Sequence, residues 1–137
     1  AASAKFVNAI HNAGTGAELG MSWLLPRQIG TQRAAEILLT MRPVLSEEAE
    51  RIGLVLKSVP DVDLMDEALA LAARITLNVP IGVALTKQSM WANLSVASLE
   101  AAIELESRAV IISQSTEDTA EKRRALAEKR PPAFTDH

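Results

Sequence analysis

From Pro60 to Arg130 the apolar residues keep returning at helical spacing, and no stretch reads as a strand. Asp63 is placed to cap a helix through Leu77. Leu64, Ala68, Leu69, Leu71, Ala72 and Ile75 make that helix apolar on most sides, so burial on more than one face is expected. Pro80 opens another helix to about Leu94. Ser95 or Ser98 begins a long one to about Ser113, and Ser115 with Asp118 makes a capping-box-like start for the last, ending near Arg130 before the tail "PPAFTDH".

The first sixty residues read differently. Residues 4 to 10 fit a short strand, "NAGTGAELG" supplies loop chemistry through Gly14, Gly16 and Gly20, and a short helix is expected near 18 to 28, shortened or bent by Pro26. Ala34, Ile37, Leu38 and Met41 fall on one side of a second helix that Thr31 caps and that ends by Arg42. Ser46, followed by Glu47 and Glu48, begins a third that stops at Gly53, and Leu54 to Val59 reads as a strand. The shift at Pro60 divides the chain into 1–59 and 60–137.

A chain of 137 residues has room for one or two packed units. With two Trp, two Phe and no Tyr, its core must come from Ala, Leu, Ile and Val. A net charge of -3 gives no general attraction to nucleic acid, which is not expected as a partner. No apolar run approaches the roughly 18 to 20 residues of a membrane span, so no membrane partner is expected. Without cysteine there is neither a disulfide nor a thiolate nucleophile, which is compatible with a cytoplasmic location. The opening "AASAKFVNAI" lacks an initiator Met and enters an extended-looking segment at once, as a chain beginning in mid-fold would.

Glu18 is the sole acid among the first thirty-five residues. Lying between glycines at the start of an expected helix, it suits either a first-turn acid that favours the helix dipole or a proton-transferring carboxylate. Gly14, Gly16 and Gly20 suit turns or a close approach to a ligand, but no Lys-Ser or Lys-Thr pair follows as in a phosphate loop. His11 stands in the loop without partners at metal spacing, so no metal is expected. Lys122, Arg123, Arg124, Lys129 and Arg130 put five of the fourteen basic residues at the chain's end, opposite Glu117 and Asp118 as a helix dipole favours. Trp23 and Trp91, with Leu85 and Met90, are expected in the core or at a subunit interface.

The run from Phe6 to Arg27, followed by "AAEILLTMRPVLSEEAERIGLV" and closed by "EDTAEKRRALAEKRPPAF", resembles the enoyl-CoA hydratase/isomerase superfamily, the crotonase fold. The resemblance implies an α/β fold built on a ββα spiral, of which this is the C-terminal half only, mostly helical with a few short strands. Residues 1–59 would end the spiral core and carry the active-site loop, and 60–137 would form the helical trimerisation region. Implied partners are the N-terminal half of the same protein, an acyl-CoA substrate and two further copies, as a homotrimer or a dimer of trimers. No cofactor is implied beyond the CoA thioester itself. The N-terminal half would hold the two amides of the oxyanion hole, so this chain alone is expected to be inactive.

Family members stabilise an enolate of an acyl-CoA thioester in lipid metabolism, which requires anion-stabilising amides and a carboxylate to move protons. The hydratase "PE" pair is matched here by Ala9 and Ile10, and an alkyl group transfers no proton. Glu18 matches the position where the isomerase branches place an acid, implying enoyl-CoA isomerisation with Glu18 as proton shuttle. Gly14 and Gly16 would line the acyl group, and Lys129 matches a lysine that contacts the phosphorylated ribose of CoA on a neighbouring subunit. The family's glycine and phenylalanine in the last helix are Lys122 and Leu126 here. Two alternatives remain: a hydratase, hence a lyase, using an acid in the other half, and a CoA-thioester-binding subunit without catalysis.

Overall fold

A computed structural model describes residues 1–8, 14 and 16–135. The chain divides into two compact units, Ala1–Glu67 and Ala68–His137.

The first unit is built around two helices that share one residue. α1 (Met21–Ile29) ends and α2 (Thr31–Thr40) begins at Gly30. The Gly30 amide donates to the Pro26 carbonyl at 3.0 Å and its carbonyl accepts from the Ala34 amide at 3.0 Å. Its angles, φ 85° and ψ 153°, lie where only glycine settles without strain. Thr31 is therefore the first residue of α2 and caps nothing. Pro26 sits inside α1, which continues to Ile29 without the missing amide.

The core of this unit joins Ile29, Ala34, Ile37, Val44 and Ala49, with Leu25, Ile52, Leu54 and Val55 packed against it. Val44 comes from β2 (Val44–Leu45), which pairs antiparallel with β1 (Lys5–Phe6), Phe6 opposite Val44 and Lys5 opposite Leu45. The strand expected over residues 4 to 10 is thus reduced to two residues within the described part of that segment. α3 (Ser46–Arg51) follows directly. Ser46 does not cap it: the buried hydroxyl instead donates to the Ala2 carbonyl at 2.6 Å, tying the first residues to this helix.

The expected strand from Leu54 to Val59 does not form. The Leu54 and Val55 amides both turn back to the Ala49 carbonyl, at 2.8 and 3.3 Å, wrapping the end of α3. The Ser58 amide goes to the Glu50 carboxylate at 2.8 Å, and Leu56 is left exposed. Backbone donors spent on a helix end are not available to a ladder. A single turn of 3-10 helix, Asp61–Asp63, then leads into α4 (Leu64–Thr76). Ser3 grips Asp61 there through its amide, at 2.9 Å, and its hydroxyl.

In the second unit α5 (Pro80–Asn93) and α6 (Leu99–Gln114) pack on each other, and α7 (Glu117–Ala127) follows. Pro80 is the first residue of α5, as expected. Ser98 caps α6 by accepting from the Ala101 amide at 3.2 Å. Thr116, not Ser115, caps α7, accepting from the Thr119 amide at 3.3 Å. Ser115 instead closes the end of α6, its hydroxyl bonded to the Ile112 carbonyl. α4 departs most from expectation: Met65, Leu69, Leu71 and Ile75 are all exposed in the single chain.

The contrast along α2 is a direct test of this core. Ile37 is 7% exposed and Leu39 is 77% exposed, two residues apart. Ile37→Ala is expected to lower stability by about 2–5 kcal/mol, and Leu39→Ala in the same chain by less than about 0.5 kcal/mol. Urea denaturation followed by circular dichroism measures both.

Candidate functional site

The glycine loop before α1 holds Glu18 outside the helix. α1 begins after Gly20, which is left-handed at φ 78°, and no acid lies in the helix's first turn. Glu18 is therefore neither a cap nor a first-turn acid. Its side chain is exposed, and only its carbonyl takes part in the helix start, accepting from the Met21 amide at 3.0 Å. Among the described residues no ion pair holds its carboxylate. Leu19, beside it, is also left-handed, at φ 55°, and 84% exposed. A leucine held in that region and in water carries local strain next to the candidate carboxylate.

Gly14 has φ 74°, a conformation that favours glycine. A Cβ added at Gly14 or Gly16 would meet nothing within 4 Å, so within this chain neither marks a close approach. Ala9, Ile10 and His11 lie outside the described residues. Along α1 the Arg27 guanidinium lies 3.1 Å from the centre of the Trp23 ring and donates to the Trp23 carbonyl at 3.1 Å. Trp23 is not core, being 47% exposed, and Trp91 and Met90 on α5 are exposed as well. Leu85 and Met90 line a groove of about 500 Å³ between α5 and α6.

The C-terminal cations belong to the other unit and are not equivalent. Lys129 is exposed and left-handed, at φ 54°. Its amide donates to the Leu126 carbonyl at 3.3 Å and the Arg130 amide to the Ala125 carbonyl at 3.0 Å, the paired bonds that close a helix through a left-handed residue. Arg130 makes a fork on Glu121, at 2.6 and 3.1 Å, and reaches Glu128 at 2.6 Å. Arg124 also pairs with Glu121, and the Lys122 ammonium donates to the Leu77 carbonyl. The expected cationic cluster is thus largely consumed internally. Among the described residues no ion pair engages Lys129.

Two acids organise this end: Asp118, which the sequence marks only as a helix-start acid, and Glu121, which it does not mark. Asp118 and Glu121, 3% and 9% exposed, lie one turn apart on α7. Glu121 accepts from the Ala133 amide at 3.0 Å, and Asp118 from the Thr135 amide at 2.7 Å. The signal was available in part: Pro131 and Pro132 have no amide to donate, so Ala133 is the first tail residue that an acid on α7 could hold. Among the described residues no three His, Cys, Asp or Glu side chains gather as a metal site would require, and no single helix is long and apolar enough to cross a membrane.

The family model for enoyl-CoA hydratase/isomerase matches residues 1–137. The chain belongs to the enoyl-CoA hydratase/isomerase family. It is 48% identical to the "Probable enoyl-CoA hydratase echA12" of Mycobacterium tuberculosis over 93% of its own length and 45% of that protein's. It is 37% identical to a "Probable enoyl-CoA hydratase" of Rhodobacter capsulatus over 98% of its length and 52% of the relative's. Among solved structures, an enoyl-CoA hydratase from Bacillus anthracis superposes with a TM-score of 0.93 at 31% identity, covering 99% of this chain and 52% of the other. The chain spans about half the length of the curated relatives it matches. Its few short strands and many helices agree with the C-terminal half of a crotonase fold.

Within this family member the acid response of the tail follows from Glu121. The Arg130 guanidinium, and after it the Ala133 amide, pull the Glu121 carboxyl down to about 2 from an ordinary 4.5. A folded value below the unfolded one means that the clamp's contribution is complete above pH 4.5 and fades as pH falls towards 2. Hydrogen exchange at the Ala133 amide is expected to accelerate, relative to its intrinsic rate, across that window. Glu121→Gln should remove that pH dependence.

Proposed function

We propose that the complete protein isomerises enoyl-CoA thioesters, with Glu18 as the proton shuttle. The observation that carries this reading is the placement of Glu18: an exposed carboxylate with no ion pair among the described residues, between glycines and beside the strained Leu19. In a 3-enoyl-CoA, Glu18 takes a proton from C2. The C2–H electron pair then delocalises into a dienolate, whose charge sits on the thioester oxygen. Two amides of the N-terminal half hold that oxygen. Glu18 returns the proton at C4, leaving the double bond between C2 and C3 with no atoms gained or lost.

Lys129 meets the phosphorylated ribose of CoA as a point cation, and Gly14 and Gly16 leave space for the acyl group. The protein is a homotrimer or a dimer of trimers, and the apolar faces of α4 to α6 support such an assembly by standing uncovered in the single chain. A cytoplasmic place in lipid metabolism accords with this chemistry.

A second reading is hydration of a 2-enoyl-CoA, favoured by the hydratase names of the relatives. It needs an acid from the N-terminal half. Supplying the full-length protein with 3-enoyl-CoA and, separately, 2-enoyl-CoA distinguishes the two. Isomerisation is expected, and Glu18→Gln should lower its kcat by about 10²–10⁴. Isomerisation that survives Glu18→Gln would remove Glu18 from the mechanism, and hydration alone would establish the second reading.

A further inference from the structure

We infer that Glu121 is a positioning residue: by gripping Arg130 and the Ala133 amide it holds the turn that presents the Lys129 ammonium to a phosphate. The inference rests on the reading above in which Lys129 contacts the phosphorylated ribose of a CoA ester.

The turn itself asks for a different residue. The paired bonds from Lys129 to Leu126 and from Arg130 to Ala125 require a left-handed conformation at Lys129. Glycine adopts it without steric cost, whereas lysine does not. A lysine at that position points to a use for its side chain. The neighbouring charges show what that use requires. Arg130 is committed to Glu121 and Glu128, Arg124 to Glu121, and Lys122 to the Leu77 carbonyl. Among the described residues no ion pair engages the exposed Arg123 or Lys129, and of the two only Lys129 sits in the left-handed turn.

Glu121 fastens this arrangement from the side of α7. One carboxylate oxygen receives both Arg130 Nη1, at 2.6 Å, and the Ala133 amide, at 3.0 Å, while the other receives Arg130 Nη2, at 3.1 Å. The residues on the C-terminal side of Lys129 are therefore tied back to the helix on its N-terminal side. Removing the carboxylate leaves Lys129 chemically intact and frees the turn that carries it. Binding then loses preorganisation rather than a contact.

The test compares an enoyl-CoA with the same ester of 3′-dephospho-CoA in the full-length protein. The wild type is expected to favour the phosphorylated ester in KM by about tenfold, the scale of one charge-assisted hydrogen bond. Lys129→Ala should abolish that preference. Glu121→Gln should shrink it severalfold by raising KM for the phosphorylated ester alone, with kcat nearly unmoved. Arg130→Lys, which keeps the charge and loses the fork, provides the same reading without altering a buried carboxylate. A preference that survives Lys129→Ala would overturn the phosphate contact itself. A preference lost in Lys129→Ala but retained in Glu121→Gln and Arg130→Lys would overturn the positioning role and leave the contact standing.

Discussion

The structure depends on a mismatch between the apolar surface the chain carries and the core it closes. The first unit seals a small core about Val44, Ala34 and Ile37, fed by two helices, a two-residue strand and the start of α3. The helices beyond it keep Leu69, Ile103, Ile111 and Trp91 in water. Apolar surface of that extent suits contact with further protein. For a chain spanning about half the length of its relatives, our proposed reading gives that surface and the oxyanion chemistry separate sources. In the proposed assembly the oxyanion amides would come from the N-terminal half, and the cover of the exposed helices from further copies of the protein.

Hydrogen bonds secure the start of the first unit and the described tail of the second. Ser46 and Asp61 fasten the first residues of the chain, and Asp118 and Glu121 fasten the last. Each uses a side chain to satisfy backbone groups that have no ladder to join. Arg42 does similar work between α2 and α3, bridging Glu36 and Glu48. Both carboxyls are held below the usual range by that guanidinium. The first unit is thus small in core and dense in polar ties.

Local signals in the sequence located most helices because their caps are local. Pro80 and Ser98 act within one turn of their own residues, and α5 and α6 fall where those signals place them. The misreadings share a different cause. Ser46, Leu54 and Val55 spend their hydrogen-bonding groups on distant or wrapped partners, and no spacing rule shows that a serine prefers Ala2 to its own helix. Glu18 carried the site's strongest sequence signal, yet the left-handed pair Leu19 and Gly20 delays the helix past it, and that backbone choice has no mark in composition. The family itself was legible, because its motifs run in order along nearly the whole chain and the family model matches all of it. Glu121 was not, because its hold on Arg130 and the Ala133 amide depends on how the tail folds back, at which only the two prolines hint.

The one-residue joint at Gly30 gives the glycine loop a mechanical origin. With a single residue between α1 and α2, no slack exists to absorb motion of one helix against the other. α2 is anchored by Ala34 and Ile37, and α1 carries the candidate loop at its far end. The loop's address is therefore written in the core, like the tip of a lever whose pivot is buried. A side chain at Gly30 would strain that joint and so shift the segment that carries Glu18 without touching any residue of it.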